Sequence, residues 1–276
     1  MSTKTTAMLS TSATITFRDK VYQFNPLKPL DISLPLAPGP ENVNCFWAEP
    51  VKVDTIVVGD FVGSVALGGS TNYQRVHLTP HGNGTHTECY GHISPDPAAT
   101  LDQCLKRFLF AGQVVSVEPR VQKNGDLVVM ASDVLTALDI DYLPEALVLR
   151  SLPNSESKRT AQYSGTNPCY LEPALAAFLA VNGIEHLLVD LPSVDREEDG
   201  GALLAHHAFW QYPAATRDSA TITELIFVPD AVEDGWYLLN LQVTSLVMDA
   251  SPSKPVLYAL RPVPAEGVVS FDQPPH

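Results

Sequence analysis

The segment His77 to His92, HLTPHGNGTHTECYGH, holds four of the eight histidines of this chain, with one carboxylate and one cysteine among them. In its centre, Gly84-Thr85-His86-Thr87-Glu88 puts His86 and Glu88 on the same side of an extended backbone. An imidazole nitrogen and a carboxylate oxygen facing one cavity are natural ligands for Zn²⁺ or Mn²⁺. His81 offers a third ligand from upstream, and His92, four residues past Glu88, takes a catalytic position if the chain turns at Gly91. A lone His-x-Glu pair is more often a satisfied polar pair of a strand; the clustering of histidines is what moves the reading toward a metal. Cys89 falls on the opposite side of the strand from Glu88 and reads as a buried free thiol.

A second polar group lies far downstream. LLVDLPSVD, Leu187 to Asp195, is followed by ALLAHHAFW with His206 and His207, and then by ATITELIFV with Glu224. A carboxylate buried in such a strand-like run is costly without a partner, and a metal ion supplies one. The competing reading makes the two histidines ordinary loop residues and turns Glu224 to solvent. Phe46, Trp47, Phe209, Trp210 and Tyr212 are either pocket walls or core anchors.

The elements that must position these groups are mostly strands. Val53 to Val58 and Phe61 to Leu67 read as a hairpin around Gly59-Asp60, and Arg75 to Leu78 as an extended lead into the histidine segment. Ala98, Leu101, Cys104, Leu105, Phe108 and Leu109 recur at three and four and predict a helix with one buried face. QVVSVEP and DLVVMA are short strands flanking an Asn124-Gly125 turn, and Ala146 to Leu149 is another strand. Glu172-Pro173 opens a helix that Asn182-Gly183 stops, and HLLVD follows as a strand. The last long strands are WYLLNLQVTSLVMD and SKPVLYALRPV, joined by a turn at Ala250 to Ser253. Strands and helices mixed throughout, with no composition break, predict one mixed-sheet α/β domain over residues 21–276 after a mobile tail over 1–20.

Composition narrows the partners. A formal net charge of -14 opposes binding to a phosphate backbone or to anionic lipid, which leaves a small molecule as the expected partner and excludes nucleic acid and membrane. Four scattered cysteines without a CxxC pair predict free thiols in a reducing compartment. The first residues have no apolar core of the export type and no run approaches a membrane span, so the expected location is the cytoplasm.

The motifs together resemble the cyclase or kynurenine formamidase-like metal-dependent hydrolases, whose signature is a histidine, then GTHxD, then a further histidine. Here it is HGNGTHTECYGH, followed in the family's order by DLPSVD, a histidine pair and Glu224, across Pro26 to Pro262. The resemblance implies a swivelling β/β/α domain with mixed sheets and a few packed helices, assembled as a homodimer or homotetramer. It implies a site for one or two ions, commonly zinc or manganese, where activated water attacks an amide or formamide carbonyl, as in an arylformamidase. Carried over by position, His86, Glu88, His206 and Glu224 become metal ligands, His81 joins them, and His92 becomes the acid-base group. His207 is the lesser member of its pair. An ester or lactone is the alternative substrate, and a non-catalytic protein holding a metal or small carboxylate is the alternative function. This chain differs from the pattern in three places. Gly82 stands where the family's first histidine falls, Glu88 replaces aspartate, and the stretch from the histidine pair to Glu224 is longer, with AATRDS as the added loop.

Overall fold

The computed structural model describes residues 12–263. Seven strands among them close on one another: β1 (His86–Glu88), β2 (Leu109–Val117), β3 (Ala146–Ser151), β4 (His186–Val189), β5 (Thr221–Glu224), β6 (Gly235–Val243) and β7 (Ala250–Ala259). Around the barrel the order is β6-β2-β3-β4-β5-β1-β7, and β6 pairs back with β7 over Tyr237 to Val243 to complete the circuit. Strands β2 to β5 run parallel, whereas β1 is antiparallel to both of its neighbours.

The central parallel strands β3 and β4 are mainly apolar on both faces, as strands covered on both sides must be. Val114, Ala146, Val148 and Leu188 join Phe110, Leu239 and Leu257 in one cluster, gathered from strands all around the barrel and therefore filling its interior. Their alternate neighbours Val115, Leu147, Leu149, Leu187 and Val189 belong to a second cluster with Leu175, Leu179, Phe209 and Trp210. That outer face is covered by helices α1 (Ala131–Ala137), α2 (Pro173–Val181) and α3 (Leu204–Trp210). Helix α2 begins at Pro173 and ends at Val181 before Asn182-Gly183, where Gly183 takes a φ of 77°. The Pro and Gly signals therefore mark its two ends as the sequence predicts.

Several expectations are corrected. The periodic run from Ala98 forms only one helical turn, Leu101–Cys104, before Leu109 enters β2. Its downstream residues are claimed by the barrel, because a nine-residue strand buried on both faces removes more apolar surface than extending so short a helix. Val65–Leu67 is a 3₁₀ turn rather than strand, while Val57–Val58 and Phe61–Val62 do form the hairpin. Ala250 to Ser253 lies inside β7 and not in a turn; the reversal is the segment 244–249. Of the tail expected over 1–20, residues 1–11 lie outside the described residues. Ala13–Phe17 is a strand paired with Lys20–Phe24, the ring of Phe17 packed on Tyr142 and Trp236, which gives this end a partner that local composition does not reveal. Among the described residues no helix is long and apolar enough to cross a membrane.

Candidate metal centre

Strand β1 presents His86 and Glu88 on one face and Thr87 on the other, where its hydroxyl meets that of Thr223 at 2.8 Å. The register with β5 sets His86 opposite Glu224 and Glu88 opposite Ile222. Residues directly opposite in an antiparallel pair share a face, so the strand pairing itself delivers Glu224 to His86. Since Ile222 belongs to the outer cluster, this polar face lies between the barrel wall and helix α3.

Helix α3 supplies His206. The loop that follows β4 and reaches Asp195 fixes it: Asp195 accepts from the main-chain N–H of Ala205 and of His206 at 2.7 and 3.1 Å, and from His206 Nδ1 at 2.7 Å. The same loop donates Val194 N–H to Glu224 Oε1 at 2.9 Å. Asp190, the first acid of DLPSVD, points elsewhere and pairs with Lys158 at 2.7 Å.

His81 reaches the site from a single helical turn, Pro80–Asn83. A Cβ at Gly82 would fall 2.3 Å from Ala48 Cβ, so no side chain fits there. Packing of that turn against Ala48 thus removes the histidine from the family's position and leaves His81 to project instead. Gly91 is equally constrained, because a Cβ there would fall 1.9 Å from the carbonyl oxygen of Ala99. It sits within the tight 3₁₀ turn Tyr90–Ile93, which turns His92 back toward Glu88.

All six residues singled out from the sequence meet here. His81 Nδ1 lies 3.0 Å from Glu88 Oε2, His206 Nε2 lies 3.0 Å from Glu88 Oε1, and His86 Nε2 lies 3.4 Å from Glu224 Oε2. His92 Nδ1 is 3.9 Å from Glu88 Oε2. His86, Glu88, His206 and Glu224 are buried, whereas the side chains of His81 and His92 are 26% and 30% exposed and form the mouth. His207 turns its Nδ1 to the carbonyl of Tyr212, 3.1 Å away. Phe209 and Trp210 are core anchors with no exposure, and Trp47 is largely exposed.

Electrostatics explains how these groups coexist. Burial pushes the His206 pKa down, but hydrogen bonds to Asp195 and Glu88 outweigh it and raise the ring to about 10. His81 behaves likewise, with burial opposed by Asp249 and Glu88, and also reaches about 10. Burial favours the neutral form of Glu88, yet the surrounding His92, His206 and His81 hold it well below the ordinary carboxylate range.

The donor set fits a divalent cation. His86 Nδ1 stands 2.9 Å from the Gly84 carbonyl, which can only accept, so that nitrogen carries the proton and Nε2 carries a lone pair. This lone pair faces Glu224, and His86 Nε2 is buried without a hydrogen-bond partner. Glu88 Oε2 likewise has no hydrogen-bond partner, its nearest nitrogen being His81 Nδ1 at 3.0 Å in an ion pair. Two acceptors aimed at one buried space are each costly by about 1–3 kcal/mol, and one cation satisfies both. Ligand atoms of His86, Glu88 and Glu224 lie within 4.8 Å of one another, as do those of His81, Glu88 and His92. Glu88 is common to both sets.

Two carboxylates of the site carry no role in the sequence reading. Asp195 stands within the quoted DLPSVD motif but was given none. Asp249, whose Oδ2 lies 2.9 Å from His81 Nε2 and 3.4 Å from His92 Nδ1, is 157 residues from His92 and has no local signal. A cavity of about 710 Å³ is lined by Pro38, Val51, His77 and Thr79 among others, and none of the clustered residues borders it. Proximity of donors, rather than cavity size, therefore identifies the site.

The comparisons bear on the family and the fold. The model of the Cyclase family matches residues 14–196, a span that includes His81, His86, Glu88 and His92. Among solved structures, isatin hydrolase A from Ralstonia solanacearum is similar with a TM-score of 0.63 at 12% identity, covering 84% of this chain and 91% of that one. A protein described as a predicted metal-dependent hydrolase from Bacillus stearothermophilus has a TM-score of 0.55 at 17% identity, covering 84% and 98%. Another, described as a potential metal-dependent hydrolase with cyclase activity, has a TM-score of 0.56 at 16% identity, covering 84% and 97%. The fold is thus the expected mixed β/β/α class.

Proposed function

Since the chain belongs to the Cyclase family, we propose that it is a metal-dependent hydrolase of a small amide, formamide or lactam. The observation that carries the reading is a buried set of imidazoles aimed at two glutamates, with atoms that no protein group satisfies. His81, His86 and His206 would hold the ion with Glu88 and Glu224, as one or two cations of the zinc or manganese type, Glu88 being placed to serve both. Such an ion lowers the pKa of a water molecule and polarises a carbonyl. The protein's own groups do the rest. The Gly84 carbonyl and Asp195 orient His86 and His206, and burial of the inner ligands keeps bulk water from competing for them. At the mouth His92, partly exposed and 3.9 Å from Glu88, is placed to carry a proton to the departing nitrogen.

The isatin hydrolase neighbours, one bound to the product analogue thioisatinate, favour a cyclic amide among these substrates. A screen of N-formyl aromatic amines, lactams, lactones and simple esters with metal-reconstituted protein tests the reading, run beside His92→Ala. Metal-dependent turnover of an amide or lactam that falls about 10²-fold in the variant is the expected result. Turnover confined to esters would move the assignment to the ester or lactone alternative. Metal uptake without turnover would make it a binding protein.

The same reading includes assembly as a homodimer or homotetramer. The segment between Lys52 and His77 exposes Val57, Val58, Leu67, Tyr73 and Val76, each more than half exposed, and apolar side chains gathered like this usually meet a partner. Light scattering at micromolar concentration checks it against the monomer mass of 29.9 kDa.

A further inference from the structure

Asp249 ends the reversal that precedes β7, and its main-chain carbonyl accepts from Cys89 N–H at 3.0 Å, which holds that turn against the end of β1. Its side chain is not needed for this contact. Instead Oδ2 accepts from His81 Nε2 at 2.9 Å and lies 3.4 Å from His92 Nδ1. The two imidazoles sit side by side over it, their centroids 4.3 Å apart and their planes tilted by 34°. An ionised carboxylate only accepts, so the nitrogen facing it must carry the proton. With Nε2 committed to Asp249, His81 Nδ1 is the nitrogen left facing Glu88 Oε2, 3.0 Å away, where a cation held between them would take the place of its proton, and His92 Nε2 is left directed away from Asp249.

We propose that Asp249 is a positioning residue that fixes one tautomer in both His81 and His92, joining the metal-holding ring and the acid-base ring through a single oxygen. The inference rests on the metal-hydrolase reading and assigns to it a residue outside the span 14–196 that the family model matches. The arrangement has an internal counterpart: Asp195 holds His206 Nδ1 at 2.7 Å while Nε2 faces Glu88. Carboxylates that hold the far nitrogen of a ligating histidine orient the ring and raise its basicity. Asp249 differs in serving two rings, one of them at the open side of the site. It also answers how a histidine one residue out of place is held in line, since the turn that displaces His81 leaves its Nε2 on this hairpin.

The test uses tag-free protein with ¹⁵N-labelled histidine, loaded with Zn²⁺, in which long-range ¹H–¹⁵N correlations report the protonated nitrogen of each ring. In the wild type, His92 is expected as the Nδ1–H tautomer and His81 as Nε2–H with Nδ1 bound to Zn²⁺. Asp249→Ala is expected to return His92 to the Nε2–H form that a free histidine side chain prefers and to weaken Zn²⁺ about 10–100-fold. Asp249→Asn keeps the shape and an oxygen acceptor, so it should retain more of both properties than Asp249→Ala. A merely structural Asp249 would lower the unfolding temperature while leaving the tautomers alone. Unchanged tautomers and unchanged Zn²⁺ affinity in folded Asp249→Ala would overturn the assignment, as would Zn²⁺ bound to His92 Nδ1 in the wild type. Wild-type protein that takes up no Zn²⁺ would instead bring down the metal reading, and this inference with it.

Discussion

Glu88 Oε1 and His206 Nε2 stand 3.0 Å apart although 118 residues separate them along the chain. One comes from the short strand β1, the other from helix α3, and the loop ending at Asp195 sets the gap between them. Glutamate is matched to that gap in length. Replacing it with aspartate, the residue usual in the family, should withdraw the carboxylate from His206 and weaken Zn²⁺ about 10–100-fold by competition titration. Affinity equal to the wild type in Glu88→Asp would contradict the idea that this backbone is fitted to the longer side chain.

Gly82 offers a separate test, of packing. The absent Cβ would fall 2.3 Å from that of Ala48 and 3.1 Å from the Cys45 carbonyl oxygen. Gly82→Ala should therefore destabilise the fold by about 1–3 kcal/mol in urea unfolding. Moving the histidine to the family's position, as His81→Gly with Gly82→His, should fail to restore metal binding. Full stability of Gly82→Ala would show that the turn can shift, and would remove the explanation for the displaced ligand.

His186 gives the protein a pH dependence unrelated to the site. It lies in the barrel interior with its ring 3.9 Å from that of Phe110 and Nδ1 2.8 Å from Thr221 Oγ1. Burial, aided by the positive charges of Arg107 and Arg217, pushes its pKa down to about 3. The unfolded chain binds this proton below about pH 6.5 and the folded chain does not. Stability is therefore unaffected by this group above pH 6.5 and falls as the pH drops from 6.5 toward 3. The slope is roughly one kcal/mol per pH unit. Comparing denaturant midpoints of the wild type with His186→Leu between pH 4 and 7.5 isolates the contribution. Parallel pH profiles for the two proteins would contradict it.

What could be read in advance follows a physical divide. His86 and Glu88 were legible because alternation in a strand fixes which residues share a face, and Glu224 because a carboxylate in an apolar run demands a partner. Helix α2 was legible from Pro173 at its start and Gly183 after its end. His206 was legible by residue type and order, but its element was not: Leu203, before α3, has a left-handed backbone and no capping side chain of its own, and Asp195 caps the helix from a distance. Asp249 left no trace at all, since only the closure of β6 on β7 and of β7 on β1 brings it to His81. The run beginning at Ala98 misled for the opposite reason, as a helical spacing there is overridden by the barrel strand it leads into.

Metal stoichiometry of tag-free protein after equilibrium dialysis against Zn²⁺ or Mn²⁺, measured together on wild type, His86→Ala and Glu224→Ala, tests the central claim most directly. The variants are first shown by circular dichroism to be folded. One or two ions per chain in the wild type, and loss of at least one in each variant, is the predicted result. Equal stoichiometry in all three proteins would contradict it, because the buried, unpartnered nitrogen of His86 and the carboxylate opposite it would then hold no ion.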